Sequence, residues 1–311
     1  MNAQTQNTWG QPNRWKQRRG LRPGWVLVIA LAILLLAGPA LGKGYVQKTE
    51  HGTIDWFSGL VSAEGVGGSP EADLSERAAE RLSLREALLQ ARGELWKTVQ
   101  SVLVGRGTRL GDILSDREDI AERVRGLVHT APILERERLS QGRLRVRVGL
   151  HLRDRLAKDI IPDTAWFDDQ GQAQPGGESG QPSQARRFTG MVVDAKGLDI
   201  QPALLVKIYS GSGRLLYGPS LADPEVALEQ GLVQYVDALS SAVRSERVGK
   251  KPLIVQASGV HEGSECDLVL QDKKAELLRA ALGRKDFLKA CKVVIILDDG
   301  GQAGMEEYEI Q

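Results

Sequence analysis

The chain has 311 residues, 41% of them hydrophobic and 26% charged, with 41 basic residues almost balancing 40 acidic ones. That is the composition of a globular protein, and its charge balance argues against the broad basic face that binding to a phosphate backbone requires. Two cysteines and four histidines are too few for a disulfide-stapled or metal-clustered scaffold.

Residues 1–42 carry Arg14, Lys16, Arg18, Arg19 and Arg22 and no acidic residue. Behind this basic stretch come the apolar run Trp25–Ala37, the helix breaker Gly38-Pro39 and the small Ala40-Leu41-Gly42. These are the three parts of a secretory signal peptide, with cleavage between Gly42 and Lys43. The alternative is an uncleaved anchor, since Gly24–Gly42 is 19 residues without a charge and a bilayer needs about 20. Both readings put the remaining chain outside the cytoplasm, periplasmic or exported, with this segment as its only membrane contact. Without residues 1–42 there are 36 basic against 40 acidic residues, net −4. Nucleic acid is therefore not an expected partner.

A first mixed α/β domain is expected over 52–158. A strand around Ile54–Glu64 should lead through Gly65-Val66-Gly67-Gly68 into a long helix, opened at Ser69-Pro70 or by an Asp73/Glu76 capping box. Leu74, Ala78, Leu82, Leu84, Leu88, Ala91, Leu95, Val99 and Val102 recur at three- and four-residue steps and predict its buried face. A shorter helix is predicted from Asp116 to Val128. A hairpin then pairs Ile133–Leu139 with Leu144–Leu152 across Ser140-Gln141-Gly142. Leu144, Val146, Val148, Leu150 and Leu152 should point inward. Arg143, Arg145, Arg147, His151 and Arg153 should point out, neutralised across the hairpin by Glu135 and Glu137.

Residues 168–187, DDQGQAQPGGESGQPSQARR, are Gly, Pro or Gln at 11 of 20 positions. They cannot bury enough apolar surface to offset ordering entropy and read as a flexible linker. A second mixed α/β domain follows over 188–298. It has a strand at Phe188–Asp194, a hairpin from Ala203–Tyr209 to Arg214–Tyr217, and a helix opened by Asp223-Pro224-Glu225 and running to about Arg244. Next come a strand at Pro252–Val260, a helix from Asp272 to Gly283 and a buried strand at Val293–Leu297. Residues 299–311 form a tail. The fold class is thus α/β (α+β), as two small domains behind the N-terminal segment.

The two domains open on similar stretches, WFSGLVSAEGVGGSP from Trp56 and FTGMVVDAKGLDIQP from Phe188. Phe57 and Phe188 should anchor a core, with the glycines permitting tight exits. Gly65-x-Gly67 is not a dinucleotide fingerprint, because Pro70 stands where a third small residue belongs and no parallel βαβ unit follows. Ser212 lies in a hairpin turn without nucleophile-elbow spacing. The histidines are scattered and form no metal motif, so no cofactor, metal or catalytic residue is assigned. Asp194 and His261, each at a strand end, are the only weak site candidates, and turn formation is the ordinary role for both. Cys266 and Cys291 lie in the exported part and either pair as a disulfide or remain two buried thiols.

Trp56, Gly59-Leu-Val-Ser-Ala-Glu-Gly65, Ala78-Ala79, Ala87-Leu-Leu-Gln-Ala-Arg92 and the closing amphipathic hairpin carry a resemblance to the LPP-twenty-type lipoprotein and flagellar outer-membrane assembly domains. The resemblance covers Trp56–Leu156 and implies a non-enzymatic scaffolding or assembly role, with other envelope proteins as partners. No cysteine lies near the cleavage site, so the chain itself is not a lipoprotein. The second domain, with Gly190-Met-Val-Val-Asp-Ala-Lys-Gly197-Leu and Pro202-Ala203, is similar to a companion domain of uncharacterised exported bacterial proteins. A periplasmic ligand-binding or sensory module is the second reading, and an unrecognised hydrolase using Asp194 and His261 the third.

Overall fold

Two large sheets, a separate two-stranded hairpin and helices make up the computed structural model, which describes residues 44–68, 75–166, 188–273 and 286–298. The signal or anchor segment, the Asp73 cap, the 168–187 linker, most of the 272–283 helix and the tail lie outside the described residues. The mixed α/β class holds.

The first sheet is antiparallel, built from β1 (Val46–Lys48), β2 (Thr53–Asp55), β3 (Leu60–Gly67), β6 (Ile133–Arg138) and β7 (Leu144–His151), in the order β1-β2-β3-β7-β6. The strand expected over Ile54–Glu64 is broken at Trp56–Gly59. There Asp55 Oδ1 accepts the Phe57 and Ser58 N–H groups and Gly59 takes φ +76°, so the chain turns back into β3. Trp56 is the buried aromatic of this turn, while Phe57, expected in the core, is 36% exposed.

Gly65 and Gly67 are strand residues rather than a loop. The long helix α1 (Glu76–Ser101), N-capped by Ser75, lies on them so closely that a Cβ on Gly65 would overlap Ala87 and Ala91, and one on Gly67 the Ser83 carbonyl. This seam decides which face of α1 is buried. Small side chains line it, namely Ala79, Ser83, Ala87 and Ala91, before Leu95 and Val99. Leu84 and Leu88 are half-buried, and Leu82, predicted inside, is exposed, as is Leu89. Beyond α1 come the hairpin β4 (Leu103–Gly105) and β5 (Thr108–Arg109), then α2 (Leu110–Asp116), α3 (Glu118–His129) and, after β7, α4 (Arg155–Ile160). On the outer sheet face Arg147 pairs with Glu135 at 2.6 Å and Arg145 with Glu137 at 2.8 Å, as cross-strand register requires.

The second sheet contains β8 (Gly190–Asp194), β9 (Ile208–Ser210), β10 (Leu215–Tyr217), β11 (Gln234–Val236), β12 (Pro252–Val260), β13 (Leu268–Leu270) and β14 (Val293–Ile296). Their order is β10-β9-β13-β12-β8-β14-β11, with a parallel block from β12 to β11. The helix predicted from Pro224 to Arg244 is two, α5 (Pro224–Gln230) and α6 (Leu239–Arg244). Gly231 at φ +79° stops the first, and Gln234–Val236 becomes strand β11 beside β14. A last short helix, α7 (Asp286–Lys289), precedes β14.

The described residues belong to one compact unit, Gly42–Gln311. The two sheets, predicted as separate domains, contribute to one hydrophobic core containing Val61, Leu95 and Val146 together with Val193, Tyr235 and Ile295. Backbone bonds cross between them: Tyr45 N–H to Tyr235 O (3.2 Å), Leu205 N–H to Val104 O (2.7 Å) and Asp154 N–H to Leu228 O (2.9 Å). Trp56 meets Tyr235 edge-on at 5.7 Å.

Candidate functional site

The residues marked for chemistry do not converge. Asp194 ends β8, where its Oδ1 accepts the Lys196 N–H at 3.2 Å, a turn-closing bond. Gln256 of β12 stands opposite Asp194, so His261 lies five residues further on, about 16 Å of strand. His261 stacks on Tyr209 at 4.2 Å between ring centroids and sets Nδ1 3.0 Å from the Glu262 carbonyl. Among the described residues no group of three or more His, Cys, Asp or Glu could hold a metal ion, and no helix is long and apolar enough to cross a membrane.

Cys266 and Cys291 are both buried free thiols. Cys266 precedes β13 and Cys291 precedes β14, strands three positions apart in the sheet, about 14 Å. Those strands also run in opposite directions, which sets the two cysteines at opposite ends of the sheet, far beyond the reach of a disulfide.

A polar cluster that sequence reading missed pins the β4–β5 hairpin onto the second sheet. Asp267, fully buried, accepts the Lys207 N–H at 2.8 Å and faces Arg106 Nε at 3.3 Å, and Arg106 Nη2 reaches the Tyr209 hydroxyl at 3.2 Å. Arg106 is held at φ +26° in the β4–β5 turn. A lone acid in the apolar CDLVL stretch was its one sequence signal. Arg247 instead ties elements within the second-sheet half to one another: Nε donates to Cys291 O at 2.6 Å, Nη1 to Gln230 O at 2.8 Å and Nη2 to Gly231 O, which caps the carbonyl end of α5. Burial lowers its pKa, yet all three bonds favour the cation. Both clusters spend their polar atoms on the fold.

The open site lies where β7 outruns its neighbour. β6 pairs with β7 only as far as Ile133 opposite Val148, after which the chain leaves through Pro132, with Gly149 N–H bonded to Pro132 O at 3.3 Å. Beyond that point a groove of about 320 Å³ opens, lined by Leu60, Leu127, Leu134, Leu150 and Leu156, with His151, Arg153 and Arg155 at its polar end. Leu134 and Leu60 close over Gly149, where a Cβ would stand 2.7 Å from Leu134 Cδ1. Arg153 donates to Phe57 O at 2.8 Å, forms no ion pair among the described residues, and has its pKa lowered by burial. Ile133 and Leu134, 44% and 42% exposed, continue the apolar surface onto the sheet edge. The periodic hairpin was legible in sequence, but the groove depends on β6 being shorter than β7.

Residues 190–299 match the family model described as Treponema pallidum Tp0624, second domain. The match covers the second sheet, about a third of the chain, and spans nearly the same residues as the unit predicted at 188–298. Compared with curated proteins, the chain finds no match.

Proposed function

We propose that this protein is a non-enzymatic, exported envelope component that scaffolds or assembles other envelope proteins through direct contacts. The observation that carries the reading is the uncovered β6 edge beside the apolar groove, because an edge strand is a ready template for another chain and an exposed apolar patch marks an interaction surface. The basic and apolar N-terminal sequence supports export, and the resemblance of Trp56–Leu156 to outer-membrane assembly domains supports the role. A periplasmic small-ligand module is the second reading, favoured by the apolar lining and volume of the same groove.

The test places a photo-crosslinking residue at Ile133, at Leu134 and, as a distant control, at Leu239 of α6, in cells. Discrete protein adducts from the first two positions, absent at Leu239 and lost with Leu60→Asp, are the expected result. Adducts from neither edge position would overturn the scaffolding reading.

A further inference from the structure

The docking reading leaves open what enters the groove, and the backbone of β7 supplies a specific answer. Leu152 N–H bonds to Gly59 O on the β3 side, whereas Gly149 N–H points the other way, to Pro132 O. Backbone groups alternate along a strand, so the N–H and C=O of His151 also face away from β3 and into the groove. Among the described residues no backbone group pairs with them there. The missing partner is a strand continuing the line of β6.

Side chains of an extended segment point alternately to opposite faces. In this slot one set meets Leu60 and Leu134 around Gly149, and the other meets Leu127, Ala131 and Leu150. The polar end carries Arg153 and Arg155 beside Asp154, with Asp55 also acting on Arg153 from a distance, and Arg153 brings a half-buried guanidinium that forms no ion pair among the described residues. A carboxylate is the complementary group, with the planar guanidinium as its natural partner. A second copy of this chain fits poorly on the same edge. Any symmetric antiparallel pairing centred between Glu135 and Arg138 sets a glutamate opposite a glutamate or an arginine opposite an arginine.

We infer that the groove at the end of β7 is a strand-addition site for an extended segment of a partner protein, with alternating apolar residues and a carboxylate that meets Arg153 and Arg155. The inference rests on the docking reading and names the chemistry of its partner. The segment pairs with His151 through its backbone, seats apolar side chains on both faces and ends against the arginines. Its carboxylate is an acidic side chain or a chain terminus.

The test uses the purified full-length protein and pooled hexapeptides with Val, Leu, Ile or Phe at alternate positions and Glu last, in free and amidated C-terminal forms. Binding is read by fluorescence anisotropy and by hydrogen exchange of the His151 amide. Binding is expected to slow that exchange and to weaken by about tenfold or more in the amidated form with Lys in place of Glu, or with the exposed Arg155→Glu. Methylating the peptide nitrogens, which removes backbone donors but keeps side chains, should weaken it similarly. Retained affinity in the amidated form assigns the carboxylate to a side chain, and its loss assigns it to a terminus. No binding by any pool, or equal binding by the N-methylated pools or by the amidated Lys pool, which lacks both carboxylates, overturns the inference. If crosslinking from Ile133 persists in that event, the docking reading survives and only strand addition fails; absence of both removes the reading as well.

Discussion

Cys266 has no solvent exposure, and burial raises its thiol from an ordinary 9.0 to about 11, with the neighbouring Asp267 charge acting in the same direction. The Cys291 thiol and the Tyr217 and Tyr235 phenols shift the same way, again chiefly through burial. Each of these groups holds its proton more tightly folded than unfolded. The stability Cys266 contributes is therefore complete below pH 9 and is lost as pH rises through about 11, and the other three add to the loss at alkaline pH. For Cys266 alone the rise from 9.0 to about 11 corresponds to about 2–3 kcal/mol. Urea midpoints measured from pH 7 to 11 should stay level to about pH 9 and then fall, and a Cys266→Ala variant should lose part of that slope. Neither thiol should react with a maleimide at pH 8 until denaturant is added, because the reactive thiolate is disfavoured and enclosed.

The seam between β3 and α1 is the element on which the first sheet depends. A strand and a helix normally stand about 10 Å apart, but glycines at 65 and 67 facing Ser83, Ala87 and Ala91 let the backbones approach closely. Gly67→Ala drives a methyl group into the Ser83 carbonyl, a backbone atom that cannot step aside. The expected cost is about 1–3 kcal/mol, read as a lower urea midpoint with an unchanged slope. Gly93→Ala on the open side of the same helix, where nothing lies within 4 Å, should instead stabilise by up to about 1 kcal/mol. The seam also explains why helical periodicity named the wrong face in part. The chain offers a leucine stripe through Leu82 and an alanine stripe through Ala87, and only the glycine track on β3 selects the alanines.

In the whole molecule, the shared core and the Arg106–Asp267 pin make the two sheets interdependent. Calorimetry should show a single transition, and cleavage at a protease site engineered between residues 174 and 178 should leave both fragments co-eluting until denaturant is added. Two separate transitions, or fragments that part in native buffer, would contradict a common core. Much of this organisation was legible from the chain alone: the Leu144–His151 alternation, the Glu135 and Glu137 partners of Arg147 and Arg145, the buried run at Val293–Ile296 and the mixed α/β class. Those features arise within a few residues, where side-chain period and turn-forming residues act directly. Contacts between distant segments decided the rest. Gly231 divides a helix so that Gln234–Val236 can join β14, Leu103–Gly105 binds backbone 101 residues away, and β6 stops short of β7, leaving the His151 backbone and its apolar groove open. Sheet order, helix rotation and the end of a strand follow from pairing across the whole chain, and no local pattern carries them.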